Sequence, residues 1–179
     1  FTKTGCCRHW NDCKKLHIEP EISKVIVLKG INRSSMDVRL NEQEVFDDIY
    51  LGVSQYGELE DFILCRNLSP HLRGNVYIKY KNINDSSKAL KSLNQRRFGG
   101  YKVKASFISL NDIRNSQCSQ YRDFGYCERG AVCNFIHISN NINIRKFEPR
   151  VSENSFNNQL NNYNNYNHNY LPYNYVNEQ

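Results

Sequence analysis

The segment CSQYRDFGYCERGAVCNFIH, residues 118–137, sets three cysteines and a histidine at intervals of eight, five and three residues and holds few aliphatic side chains to build a core around. C-x8-C-x5-C-x3-H is an arrangement of soft ligands that chance spacing rarely produces. Thiolate sulfur and imidazole nitrogen are the donors that structural zinc takes in a tetrahedral set of four, and a closed set leaves no position for a reacting water. A segment this short draws its folding free energy from the metal. Cys118, Cys127, Cys133 and His137 are therefore expected to hold one Zn2+ in a fold-forming site. Buried or disulfide-bonded cysteine is the alternative reading.

The start of the chain, FTKTGCCRHWNDCKKLH, repeats the last three ligands: Cys7, five residues, Cys13, three residues, His17. A second Zn2+ is expected there. Eight intervening residues would put the fourth ligand at the third position before Phe1, so the chain reads as beginning inside a domain. Cys6 and His9 are the other candidates for that ligand. Adjacent cysteines seldom both reach one tetrahedral ion, which disfavours Cys6.

With 179 residues, two such modules leave room for one central domain. Five of the seven cysteines follow metal spacings, and no apolar run is long enough to span a bilayer. A soluble protein of a reducing compartment is expected, with no membrane partner. Net charge is +6, unevenly spread: residues 41–62 hold seven of the 18 acidic side chains and no Lys or Arg. The other 11 face all 24 basic residues. Basic segments suit phosphate backbones, whereas an acidic patch suits a basic protein or is simply a solvated helix face. Residues 151–179 are dominated by Asn and Tyr with neither helical nor strand period, and read as a disordered low-complexity tail.

Between the modules the pattern is that of a compact α+β domain over residues 23–110. KVIVLKGI, residues 24–31, is a β-branched strand. Residues 41–55 put Val45, Ile49 and Val53 on one helix face, continued by Tyr56. YGELEDFILC gives a turn and a strand ending near Cys65, GNVYIKY a further strand, INDSSKALKSLN an Asp-capped helix and YKVKASFI, residues 101–108, the last strand. The order βαββαβ is the ferredoxin-like arrangement of RNA-recognition domains.

Such domains stack bases on aromatic rings of the two middle strands. Here the signature octapeptide reads RGNVYIKY, residues 73–80: Asn75 takes the first ring position, Tyr77 keeps the second, and Val27 stands where the first strand would supply a third. At about 1–3 kcal/mol per stacked base, two missing platforms remove most of the sheet's hold on RNA. Arg96-Arg97-Phe98, an Arg-x-Phe tripeptide in a loop, and the acidic helix with Asp47 and Asp48 are the other unusual features. Together they resemble a U2AF-homology-motif domain, whose target is a basic peptide bearing a tryptophan. The resemblance implies that Phe98 flanks the tryptophan, that Arg96 pairs with an acidic group, that Arg97 lies at the same contact, and that Asp47 and Asp48 attract the peptide's basic residues.

The order of modules, residues 1–20, 23–110 and 114–139, with KTGCCRHWNDCKKLH, YGELEDFILCRNLSPHLRGNVYIKY and CERGAVCNFIH, is similar to the small-subunit family of the U2 small nuclear ribonucleoprotein auxiliary factor. The resemblance implies a nuclear, non-enzymatic pre-mRNA splicing subunit. It would pair with the large subunit and recognise the AG at the 3′ splice site through both zinc modules. Two features depart from the family: relatives often carry tryptophan where this chain has Arg97, and many end in an arginine-serine-rich tail that is not visible here.

Modules with little regular structure leave backbone amides and carbonyls free for base edges while aromatics stack on unpaired bases. Tyr121, Phe124 and Phe135, with Arg122 and Arg129, are the RNA candidates of the second module, and Tyr121 and Phe124 rank above Tyr126. Phe135 suits a structural role equally well. In the first, Arg8, Lys14 and Lys15 supply charge and Trp10 is either platform or core. Cys65 reads as a buried thiol, and His71 and His168 have no partners at metal spacing. Two other functions compete. A regulator of mRNA stability with tandem zinc modules could touch RNA through Tyr77. A zinc hydrolase or deaminase would need an open coordination position beside Glu128, which the closed ligand set does not offer.

Overall fold

The computed structural model describes residues 1–9, 12–32, 41–98 and 100–139, so Trp10, His168 and the 151–179 tail lie outside it. The described residues belong to one compact unit, Phe1–Ile142. No described helix is long and apolar enough to cross a membrane.

Strands β1 (Val25–Leu28), β2 (Leu59–Leu64), β3 (Val76–Tyr80) and β6 (Ala105–Phe107) form an antiparallel sheet in the order β2-β3-β1-β6. The β-branched run of β1 is buried at all four positions and sits between β3 and β6, with Val27 opposite Tyr77. Helices α1 (Glu42–Ser54) and α2 (Ile83–Leu93) complete the βαββαβ order, as expected.

Local chemistry explains the helix ends. The Asn41 side chain accepts a hydrogen bond from the Gln43 N–H, and Glu42 and Glu44 lie in the first turn, where the helix dipole favours negative charge. Phe46, Ile49 and Val53 are the fully buried face of α1. Val45 and Tyr56, expected on that face, are only partly buried. Steps of four drift 40° around a 3.6-residue helix, whereas alternating steps of three and four hold one line. Helix α2 is not capped by Asp85. Asn82 is its N-cap residue, and the Asp85 carboxylate, inside the first turn, accepts from the Asn82 amide at 3.3 Å.

The last expected strand is broken. β4 (Arg97–Phe98) and β5 (Tyr101–Lys102) form a separate two-stranded hairpin, and only residues 105–107 reach the main sheet. Arg97 and Phe98 are thus strand residues, not loop residues. The Asn94 side chain clamps the entry to β6, accepting from the Ala105 N–H at 2.9 Å and donating to its carbonyl at 3.0 Å.

Alternation along the strands splits the core into two faces. On one, Phe46 and Tyr50 meet the Phe62 ring edge-on, and the Tyr80 hydroxyl donates to the Val53 carbonyl at 2.9 Å. On the other, Val25, Val27, Ile63, Cys65 and Tyr77 pack with Cys6 from the chain start and with Ile108, Ile113, Ile136 and Ile138. Both Cys/His segments are therefore built onto the face that an RNA-recognition domain ordinarily offers to bases.

Candidate metal centres and nucleic-acid interface

In the second module, helix α3 (Ser119–Phe124) starts directly after Cys118 and stops at Gly125, whose φ of 74° lies in the left-handed region open to glycine. The reversal sends the chain to Cys127, and a 3-10 turn over Gly130–Val132 leads to Cys133. One donor atom from each of Cys118, Cys127, Cys133 and His137 falls within 4.8 Å of the others, and the Cys118 and Cys127 sulfurs are 3.7 Å apart. Burial pushes the Cys133 thiol up to about 11, with the neighbouring thiols adding to the shift. Burial opposes ionisation of Cys127 as well, but N–H groups of Arg129 and Gly130 and adjacent thiols bring it below its ordinary value. The Nε2 atom of His137 is buried without a hydrogen-bond partner, and burial lowers the imidazole pKa. An orphaned buried nitrogen beside three converging sulfurs is the donor set a tetrahedral zinc ion satisfies.

The first module repeats this geometry with a constant offset of 120 residues. Cys7, Cys13 and His17 bring their donor atoms within 4.8 Å of one another. The His9 N–H donates to the Cys7 sulfur at 3.4 Å, in the place where the Arg129 N–H meets Cys127. Gly5, matching Gly125, has a φ of 68°. Phe1 stacks on His17 at 4.5 Å and 7°, and its counterpart Tyr121 stacks on His137 at 4.2 Å and 3°. Cys6 is not part of the ligand group. It is buried in the shared core, accepts from the Asn75 amide at 3.2 Å, and burial raises its pKa.

Both modules are fastened to the sheet by polar as well as apolar contacts. The Tyr77 hydroxyl, fully buried, donates to the Thr4 carbonyl at 2.7 Å. Asn75, at the lost ring position, accepts from the Gly30 N–H and donates to the His71 carbonyl and Cys6 sulfur. On the other side Ile138 bridges Cys65, the Arg66 N–H donates to the His137 carbonyl at 2.8 Å, and Asn67 holds the Phe135 carbonyl and the His137 N–H. Arg114 clasps the Asp61 carboxylate with two hydrogen bonds of 3.0 and 2.8 Å. Tyr77 has no face left for a base, which removes the sheet contact open to the mRNA-stability alternative.

The candidate RNA residues divide by what already occupies them. Phe124 and Tyr126 are 68% and 58% exposed and lie 6.2 Å apart, so both rings are open to solvent, Phe124 somewhat more than Tyr126. Tyr121 is half-buried and one face of its ring lies on His137, which leaves the other face for a further contact. Phe135 is flanked by Lys3 at 5.3 Å and Arg129 at 5.6 Å, cations from the first and second modules. Arg122 is exposed and paired with Asp123 at 2.8 Å, and Arg8, Lys14 and Lys15 are exposed.

The residues expected to bind a peptide sit on α1 and on β4, with Arg96 immediately before β4. Asp47 accepts from Gln43 at 2.7 Å. Partial desolvation, with repulsion from Asp47 and Glu44, raises the Asp48 carboxyl pKa. Phe98 is half-buried opposite Tyr101, Arg96 is exposed, and Arg97 donates to the Gly100 carbonyl of its own turn at 3.1 Å. Pro70 and His71, of which the sequence drew attention only to His71 and only as a histidine without a partner at metal spacing, line a small cleft with Arg8, Ala131 and Val132.

A family model for the RNA recognition motif matches residues 47–104. The chain is 35% identical over 155 residues to the splicing factor U2AF 26 kDa subunit of Rattus norvegicus, a match covering 77% of this chain and 70% of that protein. It is 33% identical to the splicing factor U2af 38 kDa subunit of Drosophila melanogaster, over 77% of this chain and 59% of that one. Zinc finger CCCH domain-containing protein 5 of Arabidopsis thaliana is 32% identical over 78% of this chain and 20% of its own length.

Proposed function

The chain belongs to the family of small subunits of the splicing factor U2AF, and from that premise we propose that it works as a nuclear, non-enzymatic subunit that reads the AG of the 3′ splice site in single-stranded pre-mRNA. In this reading Cys118, Cys127, Cys133 and His137 hold one Zn2+, and Cys7, Cys13 and His17 contribute to a second. Zinc supplies folding free energy and electrostatic closure, while the chain's own residues make the contacts. Exposed Phe124 and Tyr126 offer faces for unpaired bases, and Arg8, Lys14, Lys15, Arg122 and Arg129 offer charge for the backbone. The central domain binds a basic, tryptophan-bearing peptide of the large subunit through Asp47, Asp48 and the Arg96–Phe98 tripeptide.

The observation that supports this reading best is the common seat of the two modules. Both share one apolar core with the sheet face, so the face cannot stack bases and the modules stand as a fixed pair. Two weak binding elements held at a fixed separation gain from effective concentration. The test measures binding of the chain with its large-subunit partner to RNA ending in UAG or UAC. The UAG oligonucleotide is expected to bind at least tenfold more tightly, with affinity falling steeply as salt rises, and Phe98→Ala is expected to abolish capture of the tryptophan peptide. Equal binding to both oligonucleotides overturns the assigned specificity.

A further inference from the structure

The β4–β5 hairpin stands apart from the main sheet and gathers positive charge. Residues 86–111 hold six Lys and Arg and no Asp or Glu, and four of the six, Arg96, Arg97, Lys102 and Lys104, are exposed on or beside the hairpin. Elsewhere in the central domain cations meet carboxylates: Lys79 pairs with Glu60 at 2.6 Å, Lys81 with Glu58, and Arg66 with Glu42 at 2.8 Å. In the hairpin the residues directly opposite each other are two cations, Arg97 and Lys102. Like charges so placed destabilise a ribbon unless an anion joins them. Arg97 donates to the Gly100 carbonyl, and among the described residues Arg96, Lys102 and Lys104 form no ion pair. An aromatic face accompanies the charge: Tyr101, 55% exposed, lies opposite half-buried Phe98, and both line a cleft with Lys29 and Lys102.

We propose that Tyr101, Lys102 and Lys104, on the returning side of the hairpin, anchor the backbone of single-stranded RNA that flanks the stretch read by the zinc modules. The inference rests on the RNA-binding reading above and extends it to a second, sequence-independent contact, with Arg96 and Phe98 left to the tryptophan peptide. Cations beside an exposed aromatic ring are the combination that holds single strands without base readout, the cations on phosphates and the ring on any base. The hairpin also adjoins the path of the first module. The Lys29 N–H donates to the Lys104 carbonyl at 2.8 Å, and the Lys29 ammonium pairs at 3.3 Å with Glu19, two residues beyond the ligand His17. An acidic protein segment would match the charge as well; the place of the hairpin next to a module that handles RNA favours the nucleic acid.

The test measures anisotropy of the full chain, with the tryptophan peptide bound, on a short UAG RNA and on the same RNA extended by about ten nucleotides on each side, a span that single-strand sites cover. The extension is expected to tighten binding by the wild type at least fivefold. Lys102→Ser combined with Lys104→Ser should lose that gain, bind the short RNA as the wild type does, and lower the salt slope on the extended RNA by about 1.4, the value for two phosphate contacts to a single strand. Tyr101→Ala should weaken binding of the extended RNA when its flanks carry bases and leave it unchanged when they are abasic. Melting temperature and peptide capture should stay at wild-type values in both variants. An undiminished gain and slope in the lysine variant overturn the anchor, as does loss of the peptide with RNA binding intact, which would assign the hairpin to a protein partner. Equal binding of UAG and UAC with the slope change present overturns the assigned specificity and leaves the anchor standing, whereas failure of the wild type to bind any RNA overturns both.

Discussion

Removing the metal, or replacing Cys133 with serine, is expected to destabilise the whole described body and not merely release one small module. Structural zinc in modules of this kind contributes on the order of 10–16 kcal/mol of binding free energy that is also folding free energy. Without it, three thiols and the orphaned His137 Nε2 are left converging on one point, and Cys133, already pushed up to about 11, becomes a neutral buried thiol. The loss spreads because Cys133 is followed by Ile136 and Ile138, which belong to the core that also holds Val27, Cys65 and Tyr77. Releasing that segment strips the cover from the sheet. With zinc in both modules, Cys133→Ser should lower metal content from two equivalents to one, reduce the near-ultraviolet circular dichroism and create binding of a hydrophobic dye. A chelated chain that keeps its dichroism and melting temperature would show that the modules do not depend on metal.

Tyr77→Ala is expected to be the most damaging substitution within the central domain. In an RNA-recognition sheet of the ordinary kind this ring would be a surface platform, and its loss would cost about 1–3 kcal/mol of RNA binding with little effect on the fold. Here the side chain is fully buried between β1 and β2, and its hydroxyl satisfies the buried Thr4 carbonyl. Truncating a buried aromatic costs about 3–5 kcal/mol, and leaving the Thr4 carbonyl unpaired adds about 1–3 kcal/mol. That sum is a large part of the ~5–15 kcal/mol that holds a typical domain together. Tyr77→Phe isolates the hydroxyl: it should lower the melting temperature by several degrees while RNA affinity, measured well below the melt, stays unchanged. Unchanged stability with a tenfold loss of RNA affinity would instead identify Tyr77 as a stacking platform.

The two modules illustrate what could and could not be read from residues alone. Their ligand spacings identified which side chains converge, because five and three intervening residues allow few closed paths and each ligand set is local in the chain. Period and β-branching likewise placed β1, α1 and β3. The same reasoning misplaced Asp85 at a cap and ran β6 through residues 101–104, since short polar stretches satisfy several local geometries equally well. Nothing in the chain near Tyr121 shows that its ring lies flat on His137, a contact between residues 16 positions apart that packing decides.

A constant offset of 120 residues pairs Leu16 with Ile136 and Ile18 with Ile138, yet Leu16 and Ile18 are 85% and 71% exposed while Ile136 and Ile138 are 0% and 8%. Equivalent apolar residues in equivalent motifs thus have opposite fates, and so do Cys6, buried, and its counterpart Tyr126, exposed. Ligand type and spacing determined that the chain carries two Cys/His clusters on either side of an α+β domain, because those relations are short in sequence and strict in geometry. Which side of each cluster meets the sheet, and therefore that the sheet is closed and a cleft opens between the clusters, was decided only by packing among segments up to about 130 residues apart, where burial depends on the neighbour that arrives and not on the motif itself.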